Sequence, residues 1–453
     1  MPSSIRKALH ELPHTLDDTY ERALQGIPKE KWRHAHRLFH CLVAAIRPLR
    51  VEELVEILAI DFGPDMLPNL MEGWRPENAE EAVLSTCSTL VAIVENEDSK
   101  IVQFSHFSVK EFLTSGRLRT SEVGNLRSYH IPLDAAHTIL ARACRTVLLQ
   151  FDEMVVKRRI AGFPLAFYAA QYWVDHSKYD EVKSQVQDTI KQLLDPTGPY
   201  LAAWTWIHSV DRDEDPRFID DLTEYPLRRS GTLLYYAALC GFSRLVDCLI
   251  STHGEDINEK SGYRGTPLHA ASYKGQVDTV RVLLNHGAEL NTTNGYWGSP
   301  LCSACDGGHL ETIRLLLERG APVDKRYGLW RVLHNASSNG QIEVVRLLLQ
   351  YKVDVNLADG GKWTALHWAI NHTKLVELLL EYGADVNARS VTGATPLHSA
   401  SKKGCRDTVQ ILLRHGADVH LRIAGNLTAF QIATSDGHIE VAQLLLEHGA
   451  VEE

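Results

Sequence analysis

Long apolar runs are missing from this chain. The longest, such as Leu42-Val43-Ala44-Ala45-Ile46, fall far short of the ~18 residues a membrane span needs. The opening Met1-Pro2-Ser3-Ser4-Ile5-Arg6-Lys7 has no apolar core of the kind a secretory signal carries. Cysteine is sparse, 8 in 453 residues, which makes no dense disulfide framework and suits a reducing compartment. Positive charge is in deficit: the net charge of −10 opposes general affinity for nucleic acid or an anionic membrane. No GxxxxGK(S/T) phosphate loop occurs, so nothing cradles a triphosphate in the P-loop manner. No GxSxG nucleophile elbow occurs either; the nearest string, Gly241-Phe242-Ser243-Arg244-Leu245, lacks the second glycine. The expectation is a cytoplasmic protein, with the nucleus also open to it, that uses no cofactor, holds no metal and inserts into no membrane. The 44% hydrophobic content is that of a folded chain, and the length allows roughly three domains.

What is present in quantity is repetition. Thr266-Pro267-Leu268-His269-Ala270-Ala271 returns as Ser299-Pro300-Leu301-Cys302, Val332-Leu333-His334-Asn335-Ala336, Thr364-Ala365-Leu366-His367, Thr395-Pro396-Leu397-His398 and Thr428-Ala429-Phe430-Gln431. A weaker copy, Thr232-Leu233-Leu234-Tyr235, precedes them. The central apolar residues are Leu234, Leu268, Leu301, Leu333, Leu366, Leu397 and Phe430, so successive steps are 34, 33, 32, 33, 31 and 33. A period near 33 with a T-P-L-H-x-A start is the ankyrin signature. Each copy predicts a short helix and, at Gly241, Gly275, Gly308, Gly340, Gly404 and Gly437, a turn into a second helix. Apolar triplets such as Leu315-Leu316-Leu317 fill that second helix, and His286-Gly287-Ala288 or Arg319-Gly320-Ala321 closes it. Glycine suits such an end because it takes a left-handed backbone without a Cβ penalty. Copy four has Lys352 in that place, and copy five lacks the inter-helix glycine, which predicts an irregularity near Asn371 to Lys374.

The N-terminal part predicts helices over Leu16–Leu24 (capped by Thr15), about Lys31–Ala45, and Val51–Ile60. Arg47-Pro48-Leu49 reads as a break, and Pro64, Pro68 and Pro76 mark a loop. Val91-Ala92-Ile93-Val94 and Ile101-Val102-Gln103-Phe104 flank the turn Glu95-Asn96-Glu97-Asp98 as a β-hairpin. Helices followed by such a wing describe a winged-helix domain. The expected fold is therefore mostly α: a winged-helix domain over 1–125, a helical linker and capping region over 126–228, and about seven ankyrin repeats over 229–453, stacked as an α-solenoid with hairpin-like loops. Trp204 and Trp206 read as an apolar cap for the first repeat.

Four further strings resemble one protein family. Leu12-Pro13-His14-Thr15-Leu16-Asp17-Asp18-Thr19-Tyr20-Glu21-Arg22, Arg47-Pro48-Leu49-Arg50-Val51-Glu52-Glu53-Leu54, Phe104-Ser105-His106-Phe107-Ser108-Val109-Lys110-Glu111-Phe112-Leu113 and Phe163-Pro164-Leu165-Ala166-Phe167-Tyr168-Ala169-Ala170-Gln171-Tyr172-Trp173 look like the segments between the NTPase and the repeats of fungal NACHT-ankyrin proteins, the NOD-like STAND receptors. The winged-helix part is similar to the domain named after GPI inositol-deacylases. The resemblance implies a sensor end linked to a nucleotide switch in an intracellular receptor, in non-self recognition or programmed cell death. It places the start of this chain just after the point where the NTPase module would end. A truncated scaffold, or an inhibitor of full-length receptors, is the alternative, and an enzyme the distant third; no residue is a persuasive catalyst.

A protein or peptide partner is expected at the loop tips, where Tyr263, Arg264, Tyr296, Trp297, Tyr327, Trp330 and Trp363 recur. Tyr, Trp and Arg dominate binding energy at interfaces; the competing reading packs these rings against neighbouring tips. His269, His334, His367 and His398 recur once per repeat, too far apart to share a zinc held at ~2.0–2.1 Å, and are expected to hydrogen-bond between turns. Cys302 and Cys305 lack a second pair at zinc spacing and read as ordinary buried cysteines. DNA binding by the winged helix is disfavoured because its candidate groove segments carry Glu52, Glu53 and Glu56, and Glu77, Glu80 and Glu81. Lys157-Arg158-Arg159 reads as a solvated face.

Overall fold

The computed structural model describes residues 15–61, 69–70, 78–96, 99–121, 126–151, 162–179, 184–195, 197–207, 231–293, 298–322 and 329–451. The chain divides into two units, Met1–Arg229 and Ser230–Glu453. The expected Pro64–Pro76 loop, the 97–98 turn, the Lys157–Arg159 patch, Glu77, Tyr296, Trp297 and Tyr327 lie outside the described residues.

In the first unit Thr15 caps helix α1 (Leu16–Gln25), its hydroxyl accepting from Asp18 N at 3.1 Å. Helix α2 (Trp32–Ala44) buries Ala35, Leu38, Phe39 and Val43. The expected break at Arg47–Leu49 is also a strand, β1 (Leu49–Arg50), followed by α3 (Val51–Ala59) and a short ladder of β2 (Ile60–Asp61) with β3 (Asn69–Leu70). Helix α4 (Ala79–Cys87), capped by Asn78, precedes the hairpin of β4 (Val91–Asn96) and β5 (Ser99–Phe104). The sheet order is β1–β5–β4, all antiparallel, with Leu49 opposite Val102. The third strand escaped sequence reading because two residues are too few to display alternation; tertiary pairing defines it. Beyond the wing come α5 (Phe107–Thr114), α6 (Gly116–Thr120), α7 (Leu133–Leu148), α8 (Ala166–Ser177), α9 (Ser184–Leu194) and α10 (Pro199–Ile207).

The four family-like strings meet as two pairs, the first with the third and the second with the fourth. Tyr20 Oη lies 2.7 Å from Ser108 Oγ, and the Tyr20 ring tilts against Phe112 at 5.5 Å. His106 caps α5, accepting from Ser108 N through Nδ1. Glu53, fully buried, receives Arg47 at 2.6 and 2.8 Å and Arg50 Nε and Nη2 at 3.0 and 2.9 Å. Arg47 also sits over the Tyr168 ring at 4.9 Å, and buried Glu56 accepts from Leu165 N at 2.7 Å. Burial of Glu53 and Glu56 corrects the expected acidic groove face: both carboxylates are spent inside the unit. Glu80 is matched by Lys100 at 2.6 Å. Trp204 is buried within this unit, where its ring packs edge-on against Trp173 at 5.3 Å and its Nε1 donates to Ala170 O at 2.9 Å.

The second unit holds seven helix pairs among the described residues. First helices are Leu233–Cys240, Pro267–Tyr273, Pro300–Asp306, Leu329–Ser338, Ala365–Trp368, Pro396–Lys403 and Ala429–Ser435. Second helices are Ser243–His253, Val277–Asn285, Leu310–Glu318, Ile342–Gln350, Thr373–Glu381, Arg406–Arg414 and Ile439–Glu447. One pair cannot bury its own apolar face, so each stacks on the next. Hairpin-like bridges close the tips at Ser261↔Gly265, Ala358↔Thr364 and Arg422↔Thr428. In repeat five the missing residues shorten the first helix to Ala365–Trp368, and a 3-10 turn over Ala369–Asn371 makes up the connection.

The inter-helix glycines carry two demands. Gly340 has φ +67°, and a Cβ there would come within 2.6 Å of the His372 ring of the next repeat. His372 Nε2–H donates to Ser338 O at 3.0 Å, so the glycine admits both the turn and the neighbouring ring.

Candidate partner-binding surface

The surface is built on caps and ladders that hold the tips still. In repeat two His269 Nε2–H donates to Gly298 O of the next tip at 3.1 Å, while Nδ1 lies 2.8 Å from the Thr266 hydroxyl. A carbonyl cannot donate, so Nε2 carries a proton, and Nδ1 accepts from Thr266 N at 3.4 Å, so the ring is neutral. His367 repeats this geometry with Thr364 (2.9 Å) and Ala394 O (3.1 Å), and His334 reaches Leu357 O at 3.1 Å. Burial holds His269 and His367 down to about 4. Cys302 takes the histidine's place in repeat three, receiving the Ser299 hydroxyl at 3.4 Å. Cys302 and Cys305 are buried free thiols, and burial pushes Cys305 well above its ordinary range. Among the described residues no group of three or more His, Cys, Asp or Glu could hold a metal.

A second ladder runs through asparagines. Asn356 accepts from Asp385 N at 2.8 Å and donates to Gly383 O at 3.2 Å; Asn387 does the same with Asp418 N (2.9 Å) and Gly416 O (3.1 Å). The tips themselves are then cross-linked: Val391 N donates to Gly361 O at 2.9 Å, and Ala424 N to Thr392 O at 2.7 Å.

On this frame the tip residues divide. Tyr263 is 43% exposed. Its neighbour Arg264 is only 3% exposed, its guanidinium 3.0 Å from the Tyr273 ring centroid and its N–H donating to Tyr235 Oη at 3.2 Å. Arg264 therefore packs within the stack, and its side chain offers a partner little surface. Trp330 is the second residue of the helix Leu329–Ser338, which starts three residues earlier than the T-P-L-H register implied; its side chain is outside the described atoms. Trp363 is half-buried on a tight turn in which Asp359 Oδ1 accepts from both Gly361 N and Trp363 N at 2.8 Å.

The sequence reading missed Trp368. It follows His367 at a position occupied elsewhere by Tyr236, Ala270, Ser303, Asn335, Ser399 and Ile432. Its ring is 42% exposed and lies 5.9 Å from the Trp363 ring at 50°. The signal was available: a tryptophan where four of the other six copies carry a small or polar residue.

The profile for Ankyrin repeats (3 copies) matches residues 188–294, 233–327, 293–359, 333–423 and 387–452. The profile for GPI inositol-deacylase, winged helix domain matches residues 20–123. The Azaphilone pigments biosynthesis cluster protein L of Monascus ruber is 30% identical over 291 residues, covering 61% of this chain. The chain spans about 60% of that curated relative's length. Two solved structures are similar in part. The human ASB11 ankyrin repeat domain has 28% identity and a TM-score of 0.44, covering 49% of this chain and 99% of its own. The Bcl-3 ankyrin repeat domain has 29% identity and a TM-score of 0.41, covering 46% and 97%. With repeats matched from residue 188 to residue 452, more than half of its length, and a winged helix of the GPI inositol-deacylase type before them, this chain belongs to the ankyrin-repeat family.

Proposed function

We infer that this chain, by its ankyrin repeats, is a protein–protein interaction module. We propose that it is the recognition end of a fungal NOD-like receptor and works in the cytoplasm, binding a protein or peptide through the tip row Tyr263, Tyr296, Trp297, Tyr327, Trp330 and Trp363, extended by Trp368. The observation that carries this reading is the Trp363–Trp368 pair, one indole on a hydrogen-bonded turn and the other at the end of the helix that follows it, both reaching solvent. Rigid aromatic anchors on a fixed frame lose little entropy on binding. Support for the receptor context comes from the fungal relative and the paired domain types, which is support by analogy.

The test is a pull-down from fungal lysate with the full chain, wild type against Tyr263→Ala/Trp363→Ala/Trp368→Ala, with circular dichroism confirming equal helicity. Loss of a specific partner from the folded variant is expected. Retention of every partner would sink the assignment of this surface.

A further inference from the structure

Around the Trp363–Trp368 pair the sign of the charge reverses. The chain carries −10 overall. Yet the first helices of repeats five and six, Ala365–Trp368 and Pro396–Lys403, contain no Asp or Glu, and the second of them ends in exposed Lys402 and Lys403. Ser399 occupies in repeat six the register of Trp368 in repeat five. Lys402 and Lys403 follow it by three and four residues, so they continue the same helix face. These two first helices pack side by side. The tips add exposed Lys362 and Arg389 and half-buried Arg422. Against them stand Asp359, whose Oδ1 is engaged by the Gly361 and Trp363 backbone, and exposed Asp385 and Asp418 on the loops leading into the next two tips, whose Oδ1 atoms accept from Asn387 N and His420 N. Between the cations the tips expose apolar side chains, Val391 at 68% and Leu427 at 44%. Hydrogen bonds from Val391 N to Gly361 O and from Ala424 N to Thr392 O hold the three tips in register.

We propose that this aromatic and basic surface of repeats five to seven binds an acidic peptide segment bearing a large apolar side chain. Its carboxylates meet Lys362, Lys402 and Lys403, and its apolar side chain seats on Trp363 and Trp368. The inference rests on the partner-binding reading above and adds the chemistry of the partner. Charge complementarity selects an anionic ligand and speeds its encounter. The exposed Val391 and Leu427 favour a peptide over a nucleic acid, because aliphatic tips contact apolar side chains and add nothing to the stacking surface of the two indoles. The net charge of −10 over the whole chain also repels a long phosphodiester backbone, whereas a short peptide meets only the basic patch.

The test is fluorescence anisotropy on the full chain with a labelled short peptide of Asp and Glu around a central Phe-Leu pair. Its companions are the same peptide with every acid replaced by Asn or Gln, and a single-stranded oligonucleotide of matching charge. The acidic peptide is expected to bind at least several-fold tighter than the neutral one and to weaken as salt rises from about 50 to about 300 mM. Lys402→Glu/Lys403→Glu is expected to weaken it roughly tenfold or more, and Trp368→Ala to weaken both peptides. All of these side chains are exposed, and unchanged circular dichroism and melting verify the fold. Equal binding of both peptides, lost in Trp368→Ala, overturns the acidic preference while leaving the aromatic surface as a peptide site. Preference for the oligonucleotide overturns the peptide in favour of nucleic acid. Acidic-peptide binding that survives Lys402→Glu/Lys403→Glu, or no binding of any probe, overturns the proposal, and the pull-down above then judges the broader reading by itself.

Discussion

Replacing Lys352 by glycine is expected to stabilise this protein. The second helix of repeat four ends with Lys352 N donating to Leu349 O at 2.9 Å and Val353 N to Leu348 O at 3.2 Å. That is the paired-bond helix stop whose penultimate residue must take a left-handed backbone. Repeat three makes the same bonds with Gly320 at φ +84°; Lys352 makes them at φ +62° with a Cβ in place. A left-handed L-residue costs about 1–2 kcal/mol, and glycine returns about 0.4–1 kcal/mol of that through the greater freedom of the unfolded chain. The net for Lys352→Gly is a gain of about 0.5–1 kcal/mol, or roughly 1–3 °C in melting temperature for a unit of this size. Lys352→Ala keeps the strain and is expected to stay within about 0.5 kcal/mol of wild type.

The reciprocal change makes the argument quantitative. A Cβ at Gly320 would meet nothing within 4 Å, so Gly320→Ala isolates the backbone term and should cost about 0.5–1 kcal/mol. A Cβ at Gly340 would press on the His372 ring at 2.6 Å, so Gly340→Ala should cost about 1–3 kcal/mol. Urea unfolding of the full chain followed at the helical ellipticity band reads all four. A destabilised Lys352→Gly, or Gly340→Ala no worse than Gly320→Ala, would refute the reasoning.

Acid should weaken the protein over a defined window. Burial holds His269 and His367 at about 4 and His176 at about 3, against an ordinary 6.5. The unfolded chain therefore takes up protons first, and the stability is whole above about pH 6.5 and lost as pH falls toward 4. On the order of 1–2 kcal/mol per histidine should be gone by pH 5, seen as a falling urea midpoint. His367→Gln, copying the cap that Gln431 already makes with Thr428, should flatten its share; midpoints equal at pH 7 and 5 would contradict the neutral-ring assignment. In the first unit, Glu53→Ala strands Arg47 and Arg50 around an empty buried site. Since both arginines keep some solvent, the loss is expected near the lower end for a broken buried pair, about 2–3 kcal/mol by urea unfolding, and a neutral result would show that the network contributes nothing.

How much was legible in the sequence follows from the range of each signal. The ankyrin stack was legible because its determinants are local and repeated: Thr266 caps its own helix and His269 folds back on Thr266 within three residues. The shortened copy at Ala369–Asn371 announced itself by missing residues. Lys352 could be flagged by register alone, though only the backbone shows that it takes the left-handed conformation glycine would have taken. The aromatic row was half legible, because residue type is visible in sequence and exposure is not. Tyr263 and Arg264 are adjacent, yet one reaches solvent and the other lies under Tyr273. Trp368 looked like a helix residue until its ring was found beside Trp363.

By itself the sequence determined the order of elements, the repeat register, the helix stops and the chemical types available at each tip, since these depend on residues within one turn of one another. Tertiary structure alone decided which acidic residues are surface and which are buried: Glu53 and Glu56 sit in a helix that reads as solvent-facing, but Arg47, Arg50 and Leu165 N enclose them. It likewise made a strand of Leu49–Arg50 by pairing it with Ile101 and Val102 from the far side of two helices. It also left Lys402 and Lys403, one repeat further on, exposed as Trp368 is. The physical reason is common to all three. Burial, pairing and local field arise between residues distant in sequence, and they exist only once the chain has packed.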